Sequence, residues 1–303
     1  MPLRLATRGS PLALWQAGHV ASLLAAVHPG LEVELVKVTT TGDRRPELPV
    51  WEMGGRGVFV GEVQAALLAG RADAAVHSAK DLQPVDQPGL RLVAVPLRAD
   101  PRDALVGAVL SGLRPGATVA TGSQRRRAQL AYLRPDLRFE GLRGSIATRL
   151  ARVPPGGAVV VAMAALTRLG LAPAPMEALG TDVMVPQVAQ GALAVECRSD
   201  DDTSRDLLSA LDDPSSRRCI DTERSFLATI GGACDLPVAG YATVTAQGGL
   251  HLEGLLAAPD GSSVVRRSAT GSWNDGSELG AEVAEMVLAA GGRGLLAARG
   301  DRR

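Results

Sequence analysis

Cysteine is scarce in this sequence of 303 residues: it occurs three times, and no two cysteines form a CxxC pair. A disulfide framework needs an even set of cysteines and a structural zinc site needs closely spaced ligands, so neither is indicated. Any thiol chemistry would belong to a free thiolate. The three candidates are Cys197, Cys219 and Cys234.

Long apolar runs are also missing. The segment MPLRLATRGS at the start has no apolar core of the kind found in secretory signal peptides. No uncharged run approaches the roughly 18 residues that a membrane-spanning helix needs. We therefore expect a cytoplasmic protein in a reducing compartment, with no membrane partner.

Lysine is nearly absent, and the formal net charge is zero. The chain has 32 Lys and Arg residues against 32 Asp and Glu residues, and only Lys37 and Lys80 are lysines. A neutral chain has no overall field that would attract nucleic acid or a membrane. The preference for arginine has two explanations: a general bias in composition, or arginines that bind carboxylates or phosphates through paired hydrogen bonds.

Strand and helix patterns alternate along most of the chain. The first series consists of strands at 3–6, 31–39 and 72–78, with helices at 11–27, where Ser10 can serve as N-cap, and at 58–70. The second consists of strands at 116–123 and 158–166 with a helix over 124–133. A strand at 192–198 could return to the first domain, and a solvated helix follows within 199–213. The last part consists of helices at 217–230 and 277–290 around strands at 238–246, 250–257 and 263–271.

These patterns predict an α/β fold class with three domains. Two similar α/β domains, each with a mostly parallel sheet, would enclose a cleft, and a smaller C-terminal α+β domain would have an antiparallel sheet. The predicted boundaries are 1–97 with 192–213 for domain 1, 98–191 for domain 2 and 214–303 for domain 3.

Positive charge is concentrated in residues 121–152, which contain eight arginines against Asp136 and Glu140. Arg125 and Arg126 stand where a strand gives way to a helix, and Arg143 precedes a second helix start. Helix N-termini at the carboxyl edge of a sheet are suited to anions. A solvated basic surface is the alternative. Nucleic acid is less attractive as a partner because the chain as a whole carries no net charge.

Two further segments place charge beside turns. HSAKD at 77–81 sets Asp81 next to Lys80 directly after a strand, either as a surface ion pair or, if the carboxylate is desolvated, as a catalytic pair. GGRGVFV at 54–60 sets Arg56 among glycines, either in an anion-binding loop or in a flexible turn. Arg8 ends another strand and is a candidate for a further anion contact.

Cys234 lies in a glycine-rich segment, GGACD at 231–235. Such a loop has room for a bulky group, but a reactive thiolate needs positive potential nearby, which Asp235 does not supply. Arginines from other domains would have to supply it. From the residues alone, a structural loop and a reactive thiol remain equally open.

Taken together, these segments resemble the hydroxymethylbilane synthase (porphobilinogen deaminase) family. The matching segments stand in family order: ATRGSPLALWQA, GGRGVFV, RADAAVHSAKD, DPRDAL, GSQRRRAQL, LRGSIATRL, ALTRLG, VPQVAQGALAVECR and GGACDLPVAGYA. The resemblance implies two domains like type II periplasmic binding proteins, with the active site in their cleft, plus a third domain. It also implies a monomer that joins four porphobilinogen molecules into a linear tetrapyrrole.

The resemblance assigns roles to individual residues. Cys234 would hold a dipyrromethane cofactor through a thioether. Asp81 would be the catalytic aspartate that hydrogen-bonds pyrrole nitrogens, assists loss of ammonia and stabilises the cationic intermediate. Further cofactor contacts would come from Lys80, Ser10, Thr121, Ser123, Arg125, Arg126, Arg143 and Gln190. Substrate carboxylates would be bound by Arg8, Arg149, Arg168 and Arg56. No metal is implied.

Some residues depart from the family pattern. Arg56 stands where many members have lysine, Ser145 replaces asparagine as a still competent N-cap, and Ala233 stands where glycine is common. Ala233 would be strained if that position needs φ above zero. Two other functions stay open: a two-lobed anion-binding protein without chemistry, and a thiol-based redox sensor that uses Cys234.

Overall fold

The computed structural model describes residues 2–44, 59–231 and 237–300. Cys234, Ala233 and Arg56 lie outside the described residues, so the expectations for them stay predictions. The chain divides into two compact units, Met1–Ala99 with Gly191–Arg217 and Asp100–Gln190 with Arg218–Arg303. The second unit contains what the sequence predicts as domains 2 and 3, and the division into three domains also stays a prediction.

The first unit is built on a five-stranded mixed sheet. Its elements up to residue 99 are β1 (Leu3–Arg8), α1 (Pro11–Val27), β2 (Val33–Val38), α2 (Thr41–Arg44), α3 (Gly61–Leu68), β3 (Ala74–Ser78) and β4 (Leu90–Ala94). A single 3₁₀ turn, Ala79–Asp81, follows β3.

The first part of the second unit contains another five-stranded mixed sheet. Its elements are β5 (Asp103–Val106), β6 (Thr118–Ala120), α4 (Gln124–Leu133), β7 (Arg138–Glu140), α5 (Ile146–Leu150), β8 (Ala158–Ala162), α6 (Met163–Arg168) and β9 (Met176–Leu179), with a 3₁₀ turn at Leu110–Gly112. The chain then returns to the first unit with β10 (Leu193–Arg198) and α7 (Asp202–Ser209).

The two sheets share one plan. The strand orders are β2-β1-β3-β10-β4 and β7-β6-β8-β5-β9. In the first sheet β10 alone runs against the other strands, and in the second sheet β5 alone does so. Each antiparallel strand is the first strand after the chain crosses from one unit to the other: β5 follows the crossing at Asp100, and β10 follows the crossing at Gly191. The predicted α/β class is confirmed, as is the predicted return of residues 192–198 to the first sheet.

Helices cover both faces of each sheet. In the first unit α1 packs on one face through Val20 and Leu24, and α3 packs on the other through Leu67. In the second unit α4 contributes Leu130 to one face and α6 contributes Leu166 to the other. Each of these side chains is fully buried, and burial of one such side chain contributes roughly 2 kcal/mol.

The rest of the second unit is the predicted antiparallel sheet with its helices. It consists of α8 (Pro214–Ile230), whose first residues belong to the first unit, β11 (Val238–Val244), β12 (Leu250–Ala257), β13 (Val264–Gly271), α9 (Gly276–Val287), a π-turn (Leu288–Gly292) and α10 (Arg293–Gly300). Phe226 of α8 packs under the sheet, where a Cβ at Gly254 would lie 2.4 Å from its ring. Ala128 of α4 joins Ala239 and Leu255 in a shared core.

Several local predictions need correction. The run 158–166 is not one strand, because β8 ends at Ala162 and the next residues form α6. The helix predicted at 217–230 begins earlier, at Pro214. Strands β4, β7 and β9 were not predicted. None of the helices in the described residues is both long and apolar enough to cross a membrane.

Candidate active site

The turn after β3 carries Lys80 and Asp81. The backbone N–H of Ala79 donates to the carbonyl of Ala192 (3.1 Å), and Leu82 N–H closes the 3₁₀ turn on Ala79 (3.2 Å). Because the backbone is fixed at both ends of the turn, Lys80 and Asp81 leave the sheet at a defined point. Both residues are half-buried. The predicted strand-to-helix turn is thus a single tight turn.

Arg8 and Ser10 lie at the same edge of this sheet. Strands β1 and β3 are parallel neighbours, so their carboxyl ends lie side by side. Arg8 ends β1, and its guanidinium carbon lies 4.2 Å from the centre of the Phe59 ring, a cation–π contact. The Ser10 hydroxyl accepts the N–H of Ala13 (3.3 Å) as the N-cap of α1, as predicted from the sequence.

A buried polar cluster lies behind the turn. His77 Nε2 of β3 is 3.1 Å from Glu196 Oε2 of β10, and both side chains are almost completely buried. Gln64 of α3 donates its side-chain amide to the same carboxylate (3.0 Å). At the end of β3, Ser78 exchanges hydrogen bonds with Gln16 of α1 (2.9 Å). These contacts tie the end of β3 to helices on both faces of the sheet.

In the second unit, α4 begins directly after β6. The Ser123 hydroxyl caps this helix by accepting the N–H of Arg126 (3.4 Å), and the N–H of Ser123 donates to Thr121 Oγ1 (3.2 Å). The local cap explains why the helix starts at Gln124. Thr121 and Ser123 are therefore engaged in forming the N-terminus of α4.

Arg125 and Arg126 turn inward from the first turn of α4 and meet Asp103. Arg125 Nη2 lies 2.8 Å from Asp103 Oδ2, and Arg126 Nη2 lies 2.8 Å from Oδ1. The two arginines are 4% and 6% exposed, and Asp103 is fully buried. Burial by itself would raise the pKa of Asp103, but the charges of Arg125 and Arg126 and a hydrogen bond from Gln190 lower it to about 2. Burial lowers the pKa of Arg125 below its usual value.

Gln190 joins the same buried group. Its side-chain amide donates to the carbonyl of Pro101 (2.8 Å) and to Asp103 Oδ1 (3.0 Å), and the residue is fully buried. The preceding Ala189 has a positive φ of 62°, which is unusual for a residue with a side chain. Glu223 of α8 accepts the N–H of Ala189 at 2.6 Å and thereby stabilises this turn.

The other predicted arginines of the second unit remain half-buried. Arg149 Nε donates to the carbonyl of Gly144 (2.9 Å), and Ser145 caps α5 by accepting the N–H of Thr148 (3.1 Å), so the predicted N-cap is confirmed. Burial lowers the pKa of Arg168 to about 10. Among the described residues, Arg143 Nη1 is a buried donor without a hydrogen-bond partner.

The structure thus brings some of the candidate residues into one group in each unit. The first unit brings Arg8, Ser10, Lys80 and Asp81 to one sheet edge, and the second gathers Arg125, Arg126 and Gln190 around Asp103. Asp103 and Glu223 were not singled out in the sequence, although DPRDAL contains Asp103. Within the described parts of the chain, no group of His, Cys, Asp or Glu side chains could hold a metal ion.

Three solved structures illustrate what the chain is similar to. The "BenM effector binding domain with its effector benzoate" is 14% identical with a TM-score of 0.40, and the match covers 68% of this chain and 88% of that one. A nutrient binding protein from Burkholderia cenocepacia bound to methionine is 15% identical with a TM-score of 0.43, and the match covers 75% of this chain and 95% of that one. YhfZ from Shigella flexneri is 18% identical with a TM-score of 0.38, and the match covers 75% of this chain and 90% of that one. At TM-scores this low the similarity carries no argument about function.

Two family models match nearly the whole chain. The model described as "Porphobilinogen deaminase, dipyromethane cofactor binding domain" matches residues 3–206, and the model described as "Porphobilinogen deaminase, C-terminal domain" matches residues 217–289. The two matches follow each other in chain order. The chain therefore belongs to the porphobilinogen deaminase family, the enzymes of tetrapyrrole synthesis that carry a dipyrromethane cofactor.

Proposed function

We propose that this chain joins four porphobilinogen molecules head to tail, with loss of ammonia, onto a dipyrromethane attached to Cys234, and releases hydroxymethylbilane by hydrolysis. The observation that carries the proposal is the match to both family models over residues 3–206 and 217–289. The placement of Asp81 and of the half-buried arginines supports it.

Asp81 is the proposed catalytic residue. It sits half-buried on a turn whose backbone is fixed by a hydrogen bond to Ala192, so its Cα has a defined position at the sheet edge. A carboxylate at that point accepts a hydrogen bond from a substrate pyrrole N–H and stabilises the positive charge that develops as ammonia leaves. It can also move a proton at the aminomethyl nitrogen. Lys80 and Arg8, at the same edge, bind the acidic side arms.

The residues of the second unit suit a ligand that brings several carboxylates, as dipyrromethane does. The buried Nη1 donor of Arg143 lacks a protein partner among the described residues, and an anion beside Arg168 would offset the burial that lowers its pKa. We assign Arg143, Arg149 and Arg168 to direct carboxylate binding. Ser10 fixes the start of α1 in the first unit, and Thr121 and Ser123 fix the start of α4 in the second. When bound, the cofactor supplies the pyrrole carbon onto which the chain is extended.

The remaining assignments concern residues outside the described part of the chain and the setting of the enzyme. We propose that Cys234 forms the thioether and that Arg56 binds substrate carboxylates. We also propose a cytoplasmic monomer whose partner is porphobilinogen and that binds neither nucleic acid nor membranes. Sedimentation equilibrium should give the mass of one 31.3 kDa chain with its cofactor, and about twice that mass would refute the monomer.

The substitution Asp81→Asn tests the proposal, with Asp86→Asn in the same loop as the matched control. General acid–base and electrostatic groups of this kind contribute about 100-fold to 10,000-fold to a rate, so Asp81→Asn should lower turnover of porphobilinogen at least about 100-fold. Asp86 is exposed, and its variant should turn over normally. Circular dichroism should show both variants folded. Normal ammonia release by folded Asp81→Asn would remove Asp81 from the mechanism, and binding without turnover by the wild type would favour the anion-binding function.

A further inference from the structure

Asp103 is the centre of a deeply buried charge group in the second unit. It is the first residue of β5, and its two oxygens face both guanidinium groups of α4. Arg126 Nε also donates to Oδ1 (2.9 Å), and Gln190 Nε2 donates to the same oxygen (3.0 Å). The carboxylate is thus bound by three side chains.

The two arginines are held as firmly as the aspartate. Arg125 Nη1 donates to the carbonyl of Val185 (2.7 Å), and Arg126 Nη1 donates to the carbonyl of Val160 (2.8 Å). Each guanidinium is therefore fixed by an anion on one side and a backbone carbonyl on the other. Side chains held in this way lose little further freedom when a ligand binds.

The charges in this group do not cancel. Two guanidinium groups face one carboxylate, which leaves one positive charge in excess. Among the described residues Asp103 is the one carboxylate within ion-pair distance of either arginine. Removing charge from water is costly unless it is compensated, so a buried group with one excess positive charge favours a single bound anion.

We propose that Asp103 is a positioning residue of the active site. It takes up one of the two charges, fixes both guanidinium groups and leaves a net positive charge that complements one carboxylate of the bound pyrroles. Arg125 and Arg126 then act as a pair on one carboxylate, and Gln190 acts through Asp103. This inference rests on the proposed function, and it adds a role for Asp103 that the proposed function does not itself assign.

The test compares Asp103→Asn with Asp136→Asn. Asp136 is paired with Arg134 at 2.7 Å in the same unit but is partly exposed, so it undergoes the same chemical change without the buried network. Three quantities are measured: the fraction of protein whose intact mass includes a pyrrole adduct, and the KM and kcat of the protein that carries this adduct.

Asp103→Asn should lower the fraction of protein that carries the adduct by about half or more. In the protein that does carry it, KM for porphobilinogen should rise about 10-fold, while kcat should change less than about 3-fold. The reason is that a lost binding contact raises KM without slowing the chemical step. Asp136→Asn should behave as wild type. A folded Asp103→Asn with full loading and an unchanged KM would overturn the inference, since a purely structural residue would lower stability alone.

If Asp103→Asn does not fold, Asp103→Glu tests the positioning role of Asp103 instead. It keeps the charge but moves the carboxylate by one methylene, so it should load cofactor and show a raised KM, and a KM equal to that of wild type would overturn the inference. Failure of the proposed function looks different. In that case the wild-type protein itself carries no pyrrole adduct.

Discussion

Glu223 provides the sharpest stability prediction in the described part of the chain. The residue is fully buried in α8, and its carboxylate accepts two backbone N–H groups, from Ala189 at 2.6 Å and from Ala242 at 2.8 Å. One side chain thus links α8 to β11 and to the strained residue that precedes Gln190. The substitution Glu223→Gln keeps the shape of the side chain but removes the charge and one acceptor.

The size of the effect follows from these contacts. A glutamine at this position can accept one of the two N–H groups through its oxygen, while its NH₂ faces the other donor. An unsatisfied buried N–H costs about 1–3 kcal/mol, and the lost charge weakens the remaining hydrogen bond, so the free energy of unfolding should fall by about 2–4 kcal/mol. For a unit of this size, that corresponds to a Tm lower by about 5–15 °C.

Urea unfolding followed by far-ultraviolet circular dichroism measures this change. Glu285→Gln is the matched control, because Glu285 pairs with Arg293 at 2.6 Å but is more than half exposed. Exposed pairs contribute between zero and about 1 kcal/mol, so this variant should unfold nearly as the wild type does. Equal midpoints for the two variants would refute the reasoning, because buried and exposed carboxylates would then be equivalent.

Three further predictions follow from burial and space. Gly18→Ala should stabilise the protein by about 0.5–1 kcal/mol, because the added Cβ meets nothing within 4 Å. Gly280→Ala should destabilise it by about 1–3 kcal/mol, because the added Cβ would lie 2.5 Å from the backbone of α8. A lower urea midpoint for Gly18→Ala than for Gly280→Ala would contradict both expectations. The pKa of Asp103 is lowered from 3.8 to about 2, so the ionised carboxylate stabilises the fold above pH 3.8, and this stabilisation is lost as pH falls towards 2. A carbon-13 titration of the Asp103 carboxyl group with a midpoint near pH 4 would disprove this prediction. Cys197 and Cys219 are buried, and burial raises the pKa of Cys197 to about 11, so neither thiol should be alkylated in the folded protein at about pH 8; labelling as fast as in urea would disagree.

Capping residues in the sequence are sufficient to predict where the helices that follow them begin. Helix α1 runs from Pro11 to Val27 and α4 from Gln124 to Leu133, both as predicted, because Ser10 and Ser123 specify the starts within one turn of chain. The boundary after Ala162 was missed because an apolar run has the same pattern in a buried strand and in a buried helix. Strand β7 is only three residues long and shows no period that could be recognised.

The buried group around Asp103 could not be predicted from local patterns. Arg125 and Arg126 follow a strand, which indicates an anion site, but their counter-ion lies 23 residues from Arg126 in the sequence. In the sequence Asp103 looks like an ordinary acidic residue at the start of a strand. It is buried because β5 lies antiparallel between β8 and β9 in the sheet. Tertiary contacts of this kind decide whether an arginine faces solvent, a ligand or an aspartate.

The intact-protein mass spectrum tests the central claim most directly. The account predicts that the wild-type protein is heavier than its 31.3 kDa chain by a covalent adduct of two pyrrole units, and that Cys234→Ser lacks the adduct and the activity. Cys219→Ser is the control and should retain both. An unmodified wild-type chain, or an unmodified Cys234→Ser protein with full activity, would contradict the account.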